Sequence, residues 1–342
     1  MKVSDFDYYL PDELIAQEPL PHRDESRLML VRRDSESFEH KMFRDVKQLL
    51  RAGDVLVLND TRVLPARLFA VREDTGGRVE VLLVRETGDR LWEVLVKPGR
   101  RARPGAVLIF GGGLLKGAIV GCTETGERLI RFESSVPFRE ALDKIGIMPL
   151  PPYIKKYPRD PGRYQTVYAR KEGSVAAPTA GLHFTGKLLD EIKEMGVEVV
   201  TVLLHVGPGT FRPVKTENVT DHRMHEEYFE ISVRAAEIIN EAVQDPDRRV
   251  IAVGTTTVRC LESGSGNQGR VRPGSGYTGI FIYPGYRFKV IDGLITNFHL
   301  PRSTLIMMVS ALAGREKIMR AYREAVERRY RFFSFGDAMI IL

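Results

Sequence analysis

Hydrophobic positions along the chain fall into two regimes. Between Val63 and Ser135 they come as six short runs, ARLFAVRE, RVEVLLVRE, LWEVLVKP, AVLIF, KGAIVG and RLIRFE. Turn formers such as Asp74-Thr75-Gly76-Gly77, Thr87-Gly88-Asp89 and Lys97-Pro98-Gly99 separate them. Short β-type runs with no helical period between them predict a small barrel or sandwich. The stretch Met148-Pro149-Leu150-Pro151-Pro152 reads as the linker out of it.

The second regime flanks the first. The opening residues read as a mixed α/β entry that ends in the apolar run Asp54 to Leu58. From about Gly173 strand-like and helix-like stretches alternate. Thr185 is placed to cap a helix from Gly186 to Met195, whose Leu188, Leu189, Ile192 and Met195 share one face. Gly196 stops it, and Val197 to Leu204 is continuously apolar, as in a strand buried on both sides. A helix from Ser232 to Gln244 and a strand from Val250 to Val253 follow. Thr255, Thr256 and Thr257 then open another helix, Gly279–Tyr283 and Arg287–Thr296 read as a hairpin, and Ser303 caps a helix from Thr304 to Ala313. The expected fold class is α/β, a mixed sheet flanked by helices, with a small all-β barrel-like domain inserted. The expected boundaries are residues 1–62 with 150–342 for the α/β part, and 63–149 for the insert.

Composition changes this picture little. A chain of 342 residues with 43% hydrophobic and 28% charged positions is an ordinary globular protein with room for two domains. No apolar run approaches the roughly 20 residues that cross a bilayer, and the start MKVSDFDYYLPDEL lacks a signal-peptide pattern. Two cysteines, Cys122 and Cys260, make neither a disulfide framework nor a thiolate metal site. These features predict a cytoplasmic protein that does not contact membrane. Nothing specifies an oligomer, and a monomer is the favoured state. The net charge of +6 permits a polyanionic partner. Cations interleave with rings in Tyr153-Ile154-Lys155-Lys156-Tyr157-Pro158-Arg159 and Arg163-Tyr164, a combination suited to phosphates and unpaired bases. The arginine-rich stretch from Arg315 to Arg331 reads as a solvated helix face.

Candidate chemistry gathers where strands end and helices begin, the usual ligand side of open α/β sheets. Four loops stand out: Ala180-Gly181-Leu182-His183-Phe184, Leu204 to Phe211, Gly254 to Arg259, and Asn297 to Arg302. Three of the seven histidines, His183, His205 and His299, occupy such loops, which favours a shared pocket over isolated core histidines. His222 and His225 have i, i+3 spacing but lack the HExxH pattern, so no metal is expected. Gly264 to Gly269 matches G-x-G-x-x-G after a helix instead of a strand, in the polar stretch Ser263 to Gly276, and reads as a mobile loop. No Walker A or G-x-S-x-G sequence occurs.

Taken together, YYLPDELIAQEPLPHRDESRLML, LVLNDTRVLPARL, VAAPTAGLHFT, LHVGPGTFRPV, VGTTTVRCLES, GYTGIFIYPGYRF, LITNFHLPRSTLIMMVSALAG and FFSFGDAMII closely resemble the S-adenosylmethionine:tRNA ribosyltransferase-isomerase family of queuosine biosynthesis. The resemblance spans Phe6 to Ile341. It implies transfer of the ribosyl part of S-adenosylmethionine to the aminomethyl group of 7-aminomethyl-7-deazaguanine (preQ1) at the tRNA wobble position. Rearrangement to epoxyqueuosine then releases adenine and methionine. S-adenosylmethionine is consumed as a substrate, so no cofactor is implied, and the partner is the anticodon stem-loop carrying preQ1. The competing readings are another tRNA base-modifying transglycosylase, for which Asp60 is the only weak candidate nucleophile, and a non-enzymatic RNA-binding protein.

Such chemistry asks for at least two proton-transfer groups, and His183, His205 and His299 supply them, His183 being the preferred base. Arg259 and the helix start Thr255, Thr256 and Thr257 suit the methionine carboxylate. Phe184, Phe211 and Phe298 offer faces to the sulfonium, Gly207 lies in the same set of loops, and Asp60 and Arg62 suit ribose hydroxyls or the domain junction. Lys155, Lys156, Arg159 and Arg163 are the expected contacts to the RNA backbone.

Overall fold

A computed structural model describes residues 1–124, 126–207, 214–266 and 269–342. Phe211 and the centre of the Gly264–Gly269 motif lie outside the described residues. The chain divides into two compact units. One comprises Met1–Arg62, Pro152–Lys171 and Ala177–Leu342, and the other Val63–Pro151 with Glu172–Ala176.

Along the chain the first strands are β1 (Arg27–Val31), β2 (Phe38–Met42), β3 (Val55–Asn59) and β4 (Thr61–Val63). Next come β5 (Arg67–Arg72), β6 (Arg78–Gly88), β7 (Leu91–Lys97), β8 (Val107–Phe110), β9 (Leu115–Cys122), β10 (Arg128–Ser134), helix α1 (Phe138–Ile145) and β11 (Lys171–Ser174). The remainder is α2 (Gly186–Glu194), β12 (Glu198–Leu204), β13 (Glu227–Ile231), α3 (Val233–Gln244), β14 (Val250–Val253) and α4 (Thr255–Gly264). It ends with β15 (Gly274–Thr278), β16 (Gly293–Asn297), α5 (Thr304–Ala313), α6 (Arg315–Glu327) and β17 (Ala338–Ile341).

In the smaller unit β5 to β10 close into a barrel in the order β10-β7-β6-β5-β8-β9. Burial alternates along β5, β6 and β7, as a one-sided core requires. Leu68, Val81, Leu83, Trp92, Phe110 and Phe132 fill the interior.

The larger unit is built on a nine-stranded sheet of order β15-β13-β12-β3-β14-β16-β17-β1-β2. Its centre, β12-β3-β14-β16, is parallel throughout. Every residue of β3, β14 and β16 is buried, in keeping with their largely apolar sequences, VLVLN, VIAV and GLITN. Leu188, Leu189 and Ile192 of α2 join Leu56, Leu58, Ile251 and Ile295 in one core. Helices start where small hydroxyls allow. Thr185, Ser232 and Ser303 each accept a hydrogen bond from the first turn of α2, α3 and α5.

One local expectation fails. Gly279–Tyr283 forms no strand, and the anticipated hairpin is absent. Gly274–Thr278 pairs with β13 instead, while Gly293–Asn297 lies between β14 and β17. Burial decides the matter, because Gly293–Asn297 is entirely enclosed and a hairpin would leave it at an edge. His222 follows the short turn Val219–Asp221 and continues as extended backbone, so its spacing to His225 does not make a common helical face. Its ring packs edge-on against Phe281. Among the described residues no group of three or more His, Cys, Asp or Glu side chains converges as a metal site. Among the described residues no helix is long and apolar enough to cross a membrane.

Candidate active site

The parallel centre of the sheet sets the site. β12, β3, β14 and β16 are adjacent and run the same way, so the residues after their last positions emerge side by side. Those are His205 and Val206, Asp60, Gly254 and Thr255, and Phe298 and His299. A 3-10 turn at Thr179–His183 packs against β16 from the same end. Gly181 lets the same turn approach Tyr168, since a Cβ there would fall 1.9 Å from the Tyr168 hydroxyl. A cavity opens between these elements, with about 650 Å³ of empty space including the solvent at its mouth. Tyr153, Thr179, Thr255, Asn297, His299 and Ser303 are among its walls.

Two helices begin at this cavity, and they begin differently. Ser303 caps α5, its Oγ accepting from Ile306 N at 3.3 Å. Before α4 stands Gly254, whose φ of 89° suits glycine, and no side chain among the described residues caps that helix. The leading amides of α4 thus lack the acceptor that a cap supplies, and they carry the positive end of the helix dipole. Thr257 takes no part in the cavity, because its hydroxyl donates back to Val253 O at 2.6 Å.

Two buried asparagines knit the strand ends together. Asn59 Nδ2 donates to Leu204 O at 2.9 Å and to Thr256 Oγ1 at 3.2 Å, while its Oδ1 accepts from Leu204 N. Asn297 Oδ1 accepts from Thr179 Oγ1 at 2.9 Å. Its amide nitrogen donates to Phe333 O at 3.1 Å and to His183 Nε2 at 3.0 Å. Because Nε2 accepts, the proton of neutral His183 sits on Nδ1 and donates to Ser26 Oγ at 2.7 Å.

The three histidines therefore separate. The His183 ring stacks on Phe43 at 4.9 Å and has both nitrogens engaged. Burial, with the nearby Arg331 and Arg23 charges, pushes its pKa down to about 3. It does not line the main cavity but a smaller one, with Arg23, Ser26 and Arg163. Both ring nitrogens are committed within the protein, so no lone pair of the His183 ring is open in this arrangement. His205 Nδ1 pairs with Thr61 Oγ1 at 2.8 Å, its ring stacks on Tyr228, and burial lowers its pKa to about 4. His299 does line the cavity. Thr296 Oγ1 holds its Nε2 at 2.8 Å, and Nδ1 has no partner among the described residues. Its peptide is gripped from both sides, the amide donating to the Tyr322 hydroxyl at 3.0 Å and the carbonyl accepting from the Tyr8 hydroxyl. Burial holds its pKa at about 3.

Other expected ligand groups turn out to be engaged within the protein. Arg259 is buried and pairs with Glu227, whose other oxygen accepts from Gly207 N at 2.7 Å. The guanidinium and the amide hold each other's loops through that carboxylate, so neither faces the cavity. Phe184 is fully buried against Phe43 in the core. The ring of Phe298 packs among Tyr322, Tyr330 and Phe332, although the residue contributes to the cavity wall. Asp60 is buried and pairs with Arg170 at 2.8 Å, while Arg62 is exposed. Thr255 and Thr256 line the cavity.

Of the expected RNA contacts, Lys155, Lys156 and Arg159 are exposed. Arg163 instead turns inward and donates to Leu20 O and Pro21 O. Tyr164 is buried against Phe335, Tyr157 is exposed, and Tyr153 lines the cavity with its hydroxyl on Ser334 Oγ at 2.8 Å.

Sequence reading placed Tyr153 only in the cation–ring cluster and Asn297 only at the start of a loop, and it assigned no role to Thr179, Thr296 or Ser334. The signal for Asn297 was present, because a buried strand that ends in an amide needs partners on both sides.

Comparison with known proteins places residues 3–341 in the family described as queuosine biosynthesis protein. The chain is 62% identical over 342 residues to a protein of Desulforamulus reducens, with 100% of both chains covered. A protein of Pelotomaculum thermopropionicum is 62% identical over 342 residues at the same full coverage. Both carry the name S-adenosylmethionine:tRNA ribosyltransferase-isomerase. A crystal structure of S-adenosylmethionine tRNA ribosyltransferase from Thermotoga maritima is similar at a TM-score of 0.56 and 38% identity, covering 99% of this chain and 100% of that one.

Proposed function

The chain belongs to the queuosine biosynthesis protein family, and on that premise we propose that this tRNA-modifying enzyme transfers and isomerises the ribosyl moiety of S-adenosylmethionine. The acceptor is the aminomethyl group of preQ1 at the tRNA wobble position, the product is epoxyqueuosine, and adenine and methionine leave. S-adenosylmethionine is consumed, and no cofactor takes part. The enzyme works as a cytoplasmic monomer.

The observation that carries this reading is the pairing, in one cavity, of an uncapped helix start with a histidine that keeps one ring nitrogen free. The amides leading α4 suit the methionine carboxylate, an anion that completes the first turn as a capping side chain would. The sulfonium acidifies the adjacent C5′–H of the ribose. In the tautomer that donates Nε2–H to Thr296 Oγ1, His299 Nδ1 presents its lone pair to that proton. Thr179, oriented by Asn297, and the hydroxyl of Thr255 border the position where ribose hydroxyls and the departing adenine need hydrogen bonds. His183 acts through Asn297, and His205 shapes the loop after β12. Lys155, Lys156 and Arg159 give the anticodon stem-loop a cationic surface.

The test is to incubate the protein with S-adenosylmethionine and a synthetic anticodon stem-loop carrying preQ1, and to follow adenine by chromatography. Stoichiometric adenine and methionine, with RNA mass rising by the ribosyl increment, is the expected result. Methyl transfer to the RNA, or no adenine above a no-RNA control, overturns the reading.

A further inference from the structure

The small cavity on the far side of Asn297 is lined by two arginines, Arg23 and Arg163, together with His22, Ser26, His183 and Ser334. Both guanidiniums are partly buried, and neither forms a salt bridge with a carboxylate among the described residues. Arg23 donates to Leu182 O at 3.0 Å and Gly162 O at 3.3 Å. Arg163 donates to Pro21 O at 3.0 Å and Leu20 O at 2.7 Å. A guanidinium carries five N–H bonds, so each retains uncommitted donors, and Arg163 Nε is buried with no acceptor. The two cations are close enough for Arg163 to lower the pKa of Arg23, an effect added to that of burial and opposed by Asp160. Arg331, whose charge reaches His183, adds to the positive field, and its Nη1 is likewise buried without a partner. The hydrogen-bond partners of Arg23 and Arg163 are carbonyls, Asp160 opposes the charge on Arg23 and Asp337 that on Arg331, and an added anion would complete the set of partly buried cations.

Position indicates which anion. Ser334 belongs to both cavities, and Asn297 of the larger one is 3.0 Å from His183 of the smaller. If the larger cavity receives a base taken out of its stack, the backbone of that nucleotide passes close by. Resting on the function proposed above, we infer that Arg23 and Arg163 form a subsite for a phosphodiester of the RNA next to the nucleotide being modified. Planar guanidiniums with paired donors match phosphate oxygens.

Synthetic stem-loops with a single neutral methylphosphonate linkage, moved one position at a time around the wobble nucleotide, test this against the wild type, Arg23→Gln and Arg163→Gln. One flanking linkage is expected to weaken wild-type binding about tenfold and to weaken neither variant further. Each variant should also lower the slope of log affinity against log salt by about one. A wild-type salt slope in both variants, or an equal loss at that linkage in variant and wild type, overturns the subsite. Because both arginines also hold backbone carbonyls, Arg23→Lys and Arg163→Lys serve as the folding control. They should melt earlier yet keep the salt slope, and a slope lost equally with Lys and Gln assigns them a structural role only and overturns the proposal. Adenine release by the wild type, measured in the same preparation, separates this outcome from failure of the function itself.

Discussion

His183 and His299 occupy the two ends of one hydrogen-bonded neighbourhood, the first held by Asn297 and the second two residues beyond it in the chain. Both are buried, and burial drives both pKa values down to about 3. Their difference lies in what remains open. His183 has Ser26 on one nitrogen and Asn297 on the other, with Phe43 against its face. His299 has Thr296 on one nitrogen and nothing among the described residues on the other. A depressed pKa therefore marks desolvation at both positions, while only the hydrogen-bond inventory separates a wall from a working surface.

The largest expected effect comes from His299→Ala. Loss of a proton-transfer group should reduce adenine release roughly 100-fold or more with little change in melting temperature. An equal loss of turnover in a fully folded His183→Ala protein would erase the contrast. Asn297→Ala should act on both sides together. It strands His183 Nε2, the Thr179 hydroxyl and the Phe333 carbonyl, and a buried unpaired group costs about 1–3 kcal/mol. Denaturant melts should show a loss at least that large, and a neutral result would mean that the amide is not holding the wall.

Acid stability sharpens the comparison further. An unfolded histidine takes up a proton near pH 6.5, whereas folded His183 resists until about pH 3. The unfolded state thus binds more protons across that interval, and stability should fall steadily as pH drops from about 6.5 toward 3. His183→Gln should flatten the dependence measured by urea melts between pH 7 and 5, and an unchanged slope would contradict the burial. The smallest effect is reserved for the capped helix. Ser303→Ala should cost about 1 kcal/mol of stability, detectable as a shift in the urea midpoint, while adenine release stays within a few-fold of wild type.

Elements whose signals are local could be read from the sequence. The capping hydroxyls of Thr185, Ser232 and Ser303, the barrel strands and the apolar core strands all announce themselves within a few residues. Gly293–Asn297 was misjudged because its partners are β14 and β17, about forty residues away on either side, and no local pattern names them. Side-chain allegiance was the other blind spot. Arg259 looked available until folding brought Glu227 to it from 32 positions earlier. Phe184 looked like an aromatic face for a ligand until Phe43 closed over it. In the NFH triplet the eye goes to the ring residues, yet Asn297 joins three parts of the chain through a single amide. The strand-end loops were legible as a neighbourhood; which atoms they leave uncommitted required the folded partners.

The uncapped start of α4 has one more consequence. Gly254 supplies the backbone turn but no acceptor, so the helix reaches the cavity one capping group short. Whatever anion settles there becomes, in effect, the missing first residue of α4. Occupancy and helix order are then one equilibrium, and the amides of Thr255 and Thr256 should exchange with solvent deuterium freely in the empty protein and slowly in the occupied one. The protein would carry its own gauge of substrate, written in the fraying of a single helical turn.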